Sequence, residues 1–159
     1  MIPSLEEQLV NKLIEKNRHI SCAESCTGGL VASRIVNVAN ASKVFDASFV
    51  TYANEAKIKY LGVSPETIVK YGVVSEEVAF EMAAGVAKET GSEVGIAVSG
   101  IAGPGGGTRQ KPVGTVWIAI ATPNGSYAVM RNSGTDRSQI ISRASAYAIE
   151  MLYDEVKNM

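Results

Sequence analysis

A serine, a cysteine and a threonine follow one another at residues 25–27, directly before Gly28 and Gly29. A β-compatible segment precedes them and apolar residues at helical spacing follow them, which predicts a loop between a strand and a helix. Unpaired N–H groups at the start of a helix bind anions, and glycine lets a ligand approach the backbone. The stretch therefore predicts an anion-binding loop that presents a nucleophile; the alternative is that Ser25 or Thr27 only caps the helix.

A serine nucleophile needs a base, because its free hydroxyl reacts poorly. His19 is the one histidine, and its position at the start of the first predicted strand argues against a Ser-His-Asp triad and against a Cys26–His19 pair. Tyr52 and Lys57 flank a second junction between a predicted strand and a helix, so both side chains can face one pocket. A Ser25–Lys57 dyad is the arrangement that this composition permits, provided that burial lowers the lysine pKa. Alternatively, Lys57 is a solvated helix residue and Tyr52 a core residue.

A glycine-rich segment follows a continuous apolar run, and five of its ten residues, 99–108, are glycine. Its spacing matches neither G-x-G-x-x-G nor the P-loop motif, which excludes these two phosphate-binding motifs. A less specific backbone nest for an anion stays open, as does a flexible surface loop.

Composition narrows the class of protein. The chain has 159 residues and a net charge of -1, which predicts one domain over residues 1–159 and gives no electrostatic support for nucleic-acid binding. No secretory signal or membrane-spanning run is present in the sequence, so we expect a cytoplasmic protein without a membrane partner. Two cysteines and one histidine are too few for a structural zinc site, and we predict neither metal nor cofactor.

Capping residues and hydrophobic periodicity predict the elements that position these groups. Helices are predicted after Ser4, over 29–38 and 54–61, after Ser64, after Ser75 and from Asp136 to about 157; strands are predicted at 18–22, 45–52, 94–98, 115–121 and 127–131. This order favours an α/β fold, a single three-layer α/β/α domain with a mixed β-sheet. Ligands bind beyond the carboxyl ends of strands in such sheets, so we expect the serine loop and the glycine-rich loop to meet at one edge.

Four motifs follow one another along the chain: AESCTGG at 23–29, VTYANEAK at 50–57, GVVS at 72–75, and SGIAGPGGGT with KPVGTV within 99–116. In these motifs the chain resembles the competence/damage-inducible CinA C-terminal domain family. The resemblance covers about residues 5–152 and implies the family's CinA C-terminal-like fold. Larger members carry an additional N-terminal domain related to molybdopterin-binding proteins. This sequence starts directly with the first predicted helix, so it looks like the stand-alone form.

The family includes nicotinamide-nucleotide amidase (NMN deamidase). The resemblance therefore implies hydrolysis of nicotinamide mononucleotide to nicotinate mononucleotide and ammonia by a metal-independent serine amidohydrolase of pyridine-nucleotide recycling. Carried over by motif, Ser25 is the expected nucleophile, Lys57 its base, and Tyr52 a hydrogen-bonding partner of one of them. Desolvation by Val50 and Ala53 is expected to lower the pKa of Lys57.

The resemblance also implies a set of substrate-binding residues. They are Glu24, Thr27, Gly28, Gly29, Ser42, Gly100, Gly105, Gly106, Gly107, Thr108 and Arg137. Ser42 is in addition a weaker catalytic candidate. Arg137 is the expected phosphate contact in a motif resembling the family's Gly-Asp-Arg, although Thr135 replaces the glycine here. The alternative functions are a non-catalytic nucleotide-sensing domain and an amidase for another phosphorylated or pyridine amide; a homodimer is expected because closed symmetric dimers are common.

Overall fold

A mixed sheet of five strands lies at the centre of the structure, a computed structural model that describes residues 1–159. In chain order the strands are β1 (Ile20–Glu24), β2 (Phe45–Val50), β3 (Val94–Gly100), β4 (Thr115–Thr122) and β5 (Gly125–Asn132). Their order across the sheet is β2-β1-β3-β4-β5. Strand β1 runs parallel to β2 and β3, whereas β4 and β5 are an antiparallel hairpin added to β3.

Helices cover both faces of this sheet. They are α1 (Leu5–Lys16), α2 (Leu30–Val36), α3 (Asn54–Leu61), α4 (Pro65–Tyr71), α5 (Glu76–Thr90) and α6 (Arg137–Lys157), with a 3-10 turn at Ala41–Lys43. Helices α1, α2 and α6 pack together on one face, and α3 and α4 pack beside α5 on the other. The predicted α/β/α fold with a mixed sheet is confirmed.

Two apolar clusters hold the layers together, because successive side chains of a strand point to opposite faces. Cys22 and Ile96 belong to the cluster under α1 and α6, whereas Ala23 and Ala97 belong to the cluster under α5. The face of the sheet under α5 carries small side chains, so α5 packs close to the strands. At Gly95 an added Cβ would lie 2.3 Å from the carbonyl oxygen of Ala83 in α5.

Side-chain caps fix three helix starts where the sequence predicts them. Ser4, Ser75 and Asp136 accept hydrogen bonds from backbone N–H groups in the first turns of α1, α5 and α6. Ser64 precedes α4 without making such a bond. No helix in the structure combines the length and the apolar character needed to cross a membrane.

Strand ends differ most from the predictions. Strand β1 reaches Glu24 and β3 reaches Gly100, each two residues beyond the predicted end. The parallel pairing of β1 with β3 continues to Glu24, and the antiparallel pairing of β3 with β4 continues to Gly100. Strand β2 ends at Val50 rather than at residue 52. The first loop therefore begins at Ser25 itself, directly beyond the edge of the sheet.

Candidate active site

A cavity of about 420 Å³ opens at the carboxyl ends of the three parallel strands. Ser25 follows β1, Tyr52 follows β2, and Ser99 and Gly100 end β3, and all four residues line the cavity. The glycine-rich loop forms a further wall. The predicted meeting of the serine loop and the glycine-rich loop at one edge of the sheet is confirmed.

Lys57 and Ser25 are hydrogen-bonded inside this cavity, with Lys57 Nζ 3.1 Å from Ser25 Oγ. The same nitrogen lies 2.6 Å from the Thr51 carbonyl oxygen and 3.4 Å from that of Tyr52. A neutral amine has two N–H groups and one lone pair, which match two carbonyl acceptors and one hydroxyl donor. Lys57 is 1% exposed and forms no ion pair with a carboxylate. Burial lowers the pKa of Lys57, because it penalises the charged ammonium.

The burial of Lys57 comes from the packing of α3. Lys57 and Leu61 are the two buried residues of this helix and lie one turn apart on the same face. Leu61 belongs to the apolar cluster under α5, and its packing buries the face of α3 that also carries Lys57. The expectation that Val50 and Ala53 desolvate Lys57 is wrong, because both side chains are exposed at the surface.

The serine loop is shaped by the buried carboxylate of Glu24. Its Oε1 accepts hydrogen bonds from Thr27 Oγ1 at 2.7 Å and from the N–H groups of Gly29 and Val31 at 3.2 and 2.9 Å. Its Oε2 accepts from the N–H of Ala32 at 3.0 Å and from Ser48 Oγ at 2.9 Å. Glu24 therefore satisfies the start of α2, and the alternative that Ser25 or Thr27 caps this helix is wrong.

Cys26 adjoins the serine and also lines the cavity, yet it is only 7% exposed. Burial raises the pKa of its thiol to about 11. The thiolate is the nucleophilic form of cysteine, so Cys26 is protonated at neutral pH. Of the two adjacent candidates, Ser25 is the one paired with an amine.

Tyr52 and Arg137 bridge the mouth of the cavity. Arg137 Nη2 donates to the Tyr52 hydroxyl at 3.3 Å, and Nη1 donates to the carbonyl oxygen of Gly103. The Tyr52 hydroxyl therefore contacts Arg137 rather than Ser25 or Lys57, and the side chain is 64% exposed. Tyr52 interacts with Lys57 through its backbone, because its carbonyl oxygen accepts a hydrogen bond from Lys57 Nζ.

The electrostatic character of the cavity is positive. Lys111 and Arg137 line it beside Lys57, whose pKa is lowered, and no aspartate or glutamate does. In the loop beside Arg137, the backbone N–H groups of residues 105–107 make no hydrogen bond within the protein. Basic side chains and free N–H groups together suit a ligand with an anionic group.

A family model described as the CinA C-terminal domain matches residues 2–156. The chain belongs to this family. A CinA-like protein of Kosmotoga olearia is 53% identical over 150 residues, which are 94% of this chain and 36% of that protein. A competence-damage inducible protein of Alkaliphilus oremlandii is 48% identical over 155 residues, 98% of this chain and 38% of that protein. The chain thus spans little more than a third of the length of these relatives, and the stand-alone form stays a prediction.

Solved structures of the CinA superfamily share the fold. The competence/damage inducible protein CihA from Agrobacterium tumefaciens is 39% identical with a TM-score of 0.88, covering 97% of each chain. A competence-damaged protein (CinA) superfamily protein from Klebsiella pneumoniae is 31% identical with a TM-score of 0.93, covering 98% of this chain and 97% of that one.

Several of the predicted site residues of this CinA C-terminal domain line the cavity. They are Ser25, Tyr52, Lys57, Gly100, Gly105, Gly106, Thr108 and Arg137. The structure places the others outside it: Glu24, Thr27, Gly28, Gly29, Ser42 and Gly107. Glu24 and Thr27 are buried in the hydrogen-bond network behind the loop, and Gly28 and Gly29 turn the chain into α2 with positive φ angles of 57° and 104°.

Ser42 and Gly107 lie elsewhere for two different reasons. Ser42 belongs to the 3-10 turn that leads into β2, at the opposite end of that strand from the cavity. Gly107 lies against Val113, where an added Cβ would come within 2.7 Å of the backbone nitrogen.

Sequence reasoning missed three polar cavity residues, Asn54, Ser99 and Lys111. Ser99 is buried and donates from Oγ to the carbonyl oxygen of Val73 at 2.8 Å, which ties the strand end to the segment between α4 and α5. Its signal was a serine at the carboxyl end of an apolar parallel strand. Lys111 and Asn54 stood inside motifs, but no spacing rule linked them to the serine.

Proposed function

We propose that this domain is a serine amidohydrolase that converts nicotinamide mononucleotide to nicotinate mononucleotide and ammonia. The single observation that carries the proposal is the 3.1 Å contact between Lys57 Nζ and Ser25 Oγ, made by a buried amine without a carboxylate partner. The family resemblance supplies the substrate, and the positive cavity is compatible with its phosphate.

In the proposed reaction, Ser25 Oγ attacks the amide carbonyl carbon while its proton passes to Lys57 Nζ. The tetrahedral oxyanion then collapses, the C–N bond breaks, and the Lys57 ammonium gives its proton to the departing nitrogen as ammonia leaves. Water attacks the resulting ester with Lys57 again accepting the proton. The ester C–O bond then breaks, the Lys57 ammonium returns the proton to Ser25 Oγ, and nicotinate mononucleotide is released.

The oxyanion requires hydrogen-bond donors near Ser25. The backbone N–H of Cys26 directly follows the nucleophile and makes no backbone hydrogen bond, whereas the N–H of Ser25 is used by the carbonyl of Val98 at 3.0 Å. We assign the first donor to Cys26. Its N–H acts through the backbone, so the thiol is not needed for this role.

The phosphate end of the substrate is assigned to Arg137 and the free N–H groups of Gly105 and Gly106. Arg137 is oriented by Tyr52 and Gly103, which reduces the entropy lost on binding. Tyr52 acts in this proposal by positioning Arg137. Nicotinamide riboside, which lacks the phosphate, should be a poor substrate.

The deciding experiment measures ammonia release from nicotinamide mononucleotide by the wild type and by Ser25→Ala, with Ser42→Ala as a matched serine control outside the cavity. We expect turnover by the wild type and Ser42→Ala, and loss of about 10³-fold or more in Ser25→Ala. Turnover should persist after exhaustive chelation, since the proposed steps use only these protein groups. Nucleotide binding without ammonia release would instead favour a non-catalytic sensing domain.

A further inference from the structure

We propose that Lys111 binds the phosphomonoester end of the ligand as a second cation, in addition to Arg137 in the same cavity. The identity of the ligand rests on the proposed function, but the anion site can be tested by binding alone. Lys111 lies in the loop before β4 and lines the same cavity as Ser25 and Arg137.

The start of α2 is closed to a substrate anion. Helix starts attract phosphates because their N–H groups are unpaired, but here the Glu24 carboxylate accepts the N–H groups of Gly29, Val31 and Ala32. A buried negative charge at this position also repels a second anion. The phosphate must therefore be bound at another part of the cavity, where the cations are.

The charge of the cavity indicates two phosphate-binding cations. Lys57 must be neutral to accept a proton, which leaves Arg137 and Lys111, and neither forms an ion pair with an acidic residue. A phosphomonoester carries a charge of about -1.5 to -2 at neutral pH. Arg137 alone leaves part of this charge unbalanced, whereas Arg137 and Lys111 together match it.

The ammonium of Lys111 has unused hydrogen-bond donors. Its Nζ donates to the Tyr71 carbonyl oxygen, and an ammonium carries three N–H groups, so two remain for a ligand. Gly72 leaves the space for it, because an added Cβ there would lie 3.1 Å from Lys111 Nζ. Arg137 uses one N–H of each terminal nitrogen on Gly103 and Tyr52, so the second N–H of each terminal nitrogen remains for the ligand.

The backbone of Lys111 is also fixed. The N–H of Thr108 donates to the Lys111 carbonyl at 2.8 Å, and the N–H of Lys111 donates to Thr108 Oγ1 at 3.0 Å. These bonds close a tight turn with Arg109 and Gln110 exposed at its tip. Lys111 is thus held at its backbone and at its ammonium before any ligand arrives, which favours binding.

The test compares binding of ribose 5-phosphate, inorganic phosphate and ribose to the wild type, Lys111→Gln and Arg109→Gln by calorimetry. Arg109 is the matched control, because its loss changes the net charge equally on the same turn but outside the cavity. A hydrogen bond to a charged group contributes roughly 1.5–3 kcal/mol, so Lys111→Gln should weaken ribose 5-phosphate binding about 10- to 100-fold. The affinities of the three proteins for inorganic phosphate should follow the same order. Their affinities for ribose, which has no phosphate, should not differ. Equal losses in both variants, or no loss in Lys111→Gln, would overturn the proposal.

A second measurement uses the unaltered protein. Ribose 5-phosphate should protect Lys111 from amine acylation several-fold by peptide mass spectrometry, whereas exposed Lys43 at the other end of the sheet should react unchanged. Equal labelling of Lys111 with and without the sugar phosphate contradicts the inference. Lys111-dependent phosphate binding without ammonia release would refute the proposed hydrolysis and support the anion site. Ammonia release by the wild type, with unchanged phosphate binding in Lys111→Gln, would support the hydrolysis and refute the role of Lys111.

Discussion

The carbonyl oxygen of Leu61 at the end of α3 lies against Gly85 in α5, where an added Cβ would come within 1.9 Å of it. Gly85 is therefore the point at which the two helices touch backbone to backbone. Lys57 lies one turn before Leu61 on the same buried face of α3. The absence of a side chain at Gly85 thus permits the close packing of the helix that carries the proposed base.

Gly85→Ala is expected to destabilise the protein and to reduce turnover. Alanine gains about 1 kcal/mol of helix propensity over glycine, but overpacking against a backbone carbonyl costs about 1–3 kcal/mol and must move α3. Urea unfolding and ammonia release measure the two effects. Lys88→Ala, at an exposed position of the same helix, is the control and should change neither. A Gly85→Ala protein with wild-type turnover would show that the position of α3 does not matter to the chemistry.

Glu24→Gln is expected to lower stability and turnover together. Glutamine has one acceptor oxygen and places an N–H₂ group where N–H and O–H donors now point at a carboxylate. Leaving buried donors unsatisfied costs about 1–3 kcal/mol for each group. Thermal unfolding together with the kcat for nicotinamide mononucleotide checks this. Glu89→Gln, an exposed carboxylate in α5, should leave both unchanged; an equally stable, equally active Glu24→Gln would remove Glu24 from any role in shaping the loop.

The sequence predicted the fold through local rules, and it indicated Lys57 as the partner of Ser25 through the lack of a suitably placed histidine and the motifs shared with the family. Helix caps, strand periodicity and the position of loops at strand ends are visible in a few consecutive residues. The role of Glu24 was not predictable in this way, since it depends on Ser48 of the neighbouring strand reaching the same carboxylate. Lys111 bonds to the carbonyl of Tyr71, forty positions away, and no spacing in the sequence encodes that contact.

Cys26→Ser should retain most of the proposed activity. The buried thiol has a pKa raised to about 11, so at neutral pH almost none of it is thiolate. Iodoacetamide should therefore modify the folded protein slowly, at rates that increase as the pH approaches 11. Peptide mass spectrometry follows the modification, and the unfolded protein in urea is the reference. Loss of turnover in a folded Cys26→Ser protein equal to that in Ser25→Ala would reverse the assignment of the nucleophile.

The lowered pKa of Lys57 makes a prediction about stability that does not depend on the substrate. An unfolded lysine has a pKa of about 10.4, whereas burial lowers the pKa in the folded protein. Between the two values the unfolded chain binds more protons than the folded one, so the free energy of unfolding rises with pH. Wild-type stability relative to Lys57→Met should therefore increase across this window and level off above about pH 10.4.

The same pKa should set the acidic limb of kcat/KM, because a protonated Lys57 cannot accept the Ser25 proton. Lys57→Ala should lose about 10³-fold or more, and the double variant with Ser25→Ala should be little worse, because residues that act as a unit are not additive. Lys57→Arg should fail as well, since a guanidinium keeps its proton over the accessible range. Urea titrations at several pH values and pH–rate profiles should give one and the same pKa in the folded protein. An active Lys57→Arg enzyme with an unchanged acidic limb, or a stability difference from Lys57→Met that is flat with pH, would rule out Lys57 as the neutral base.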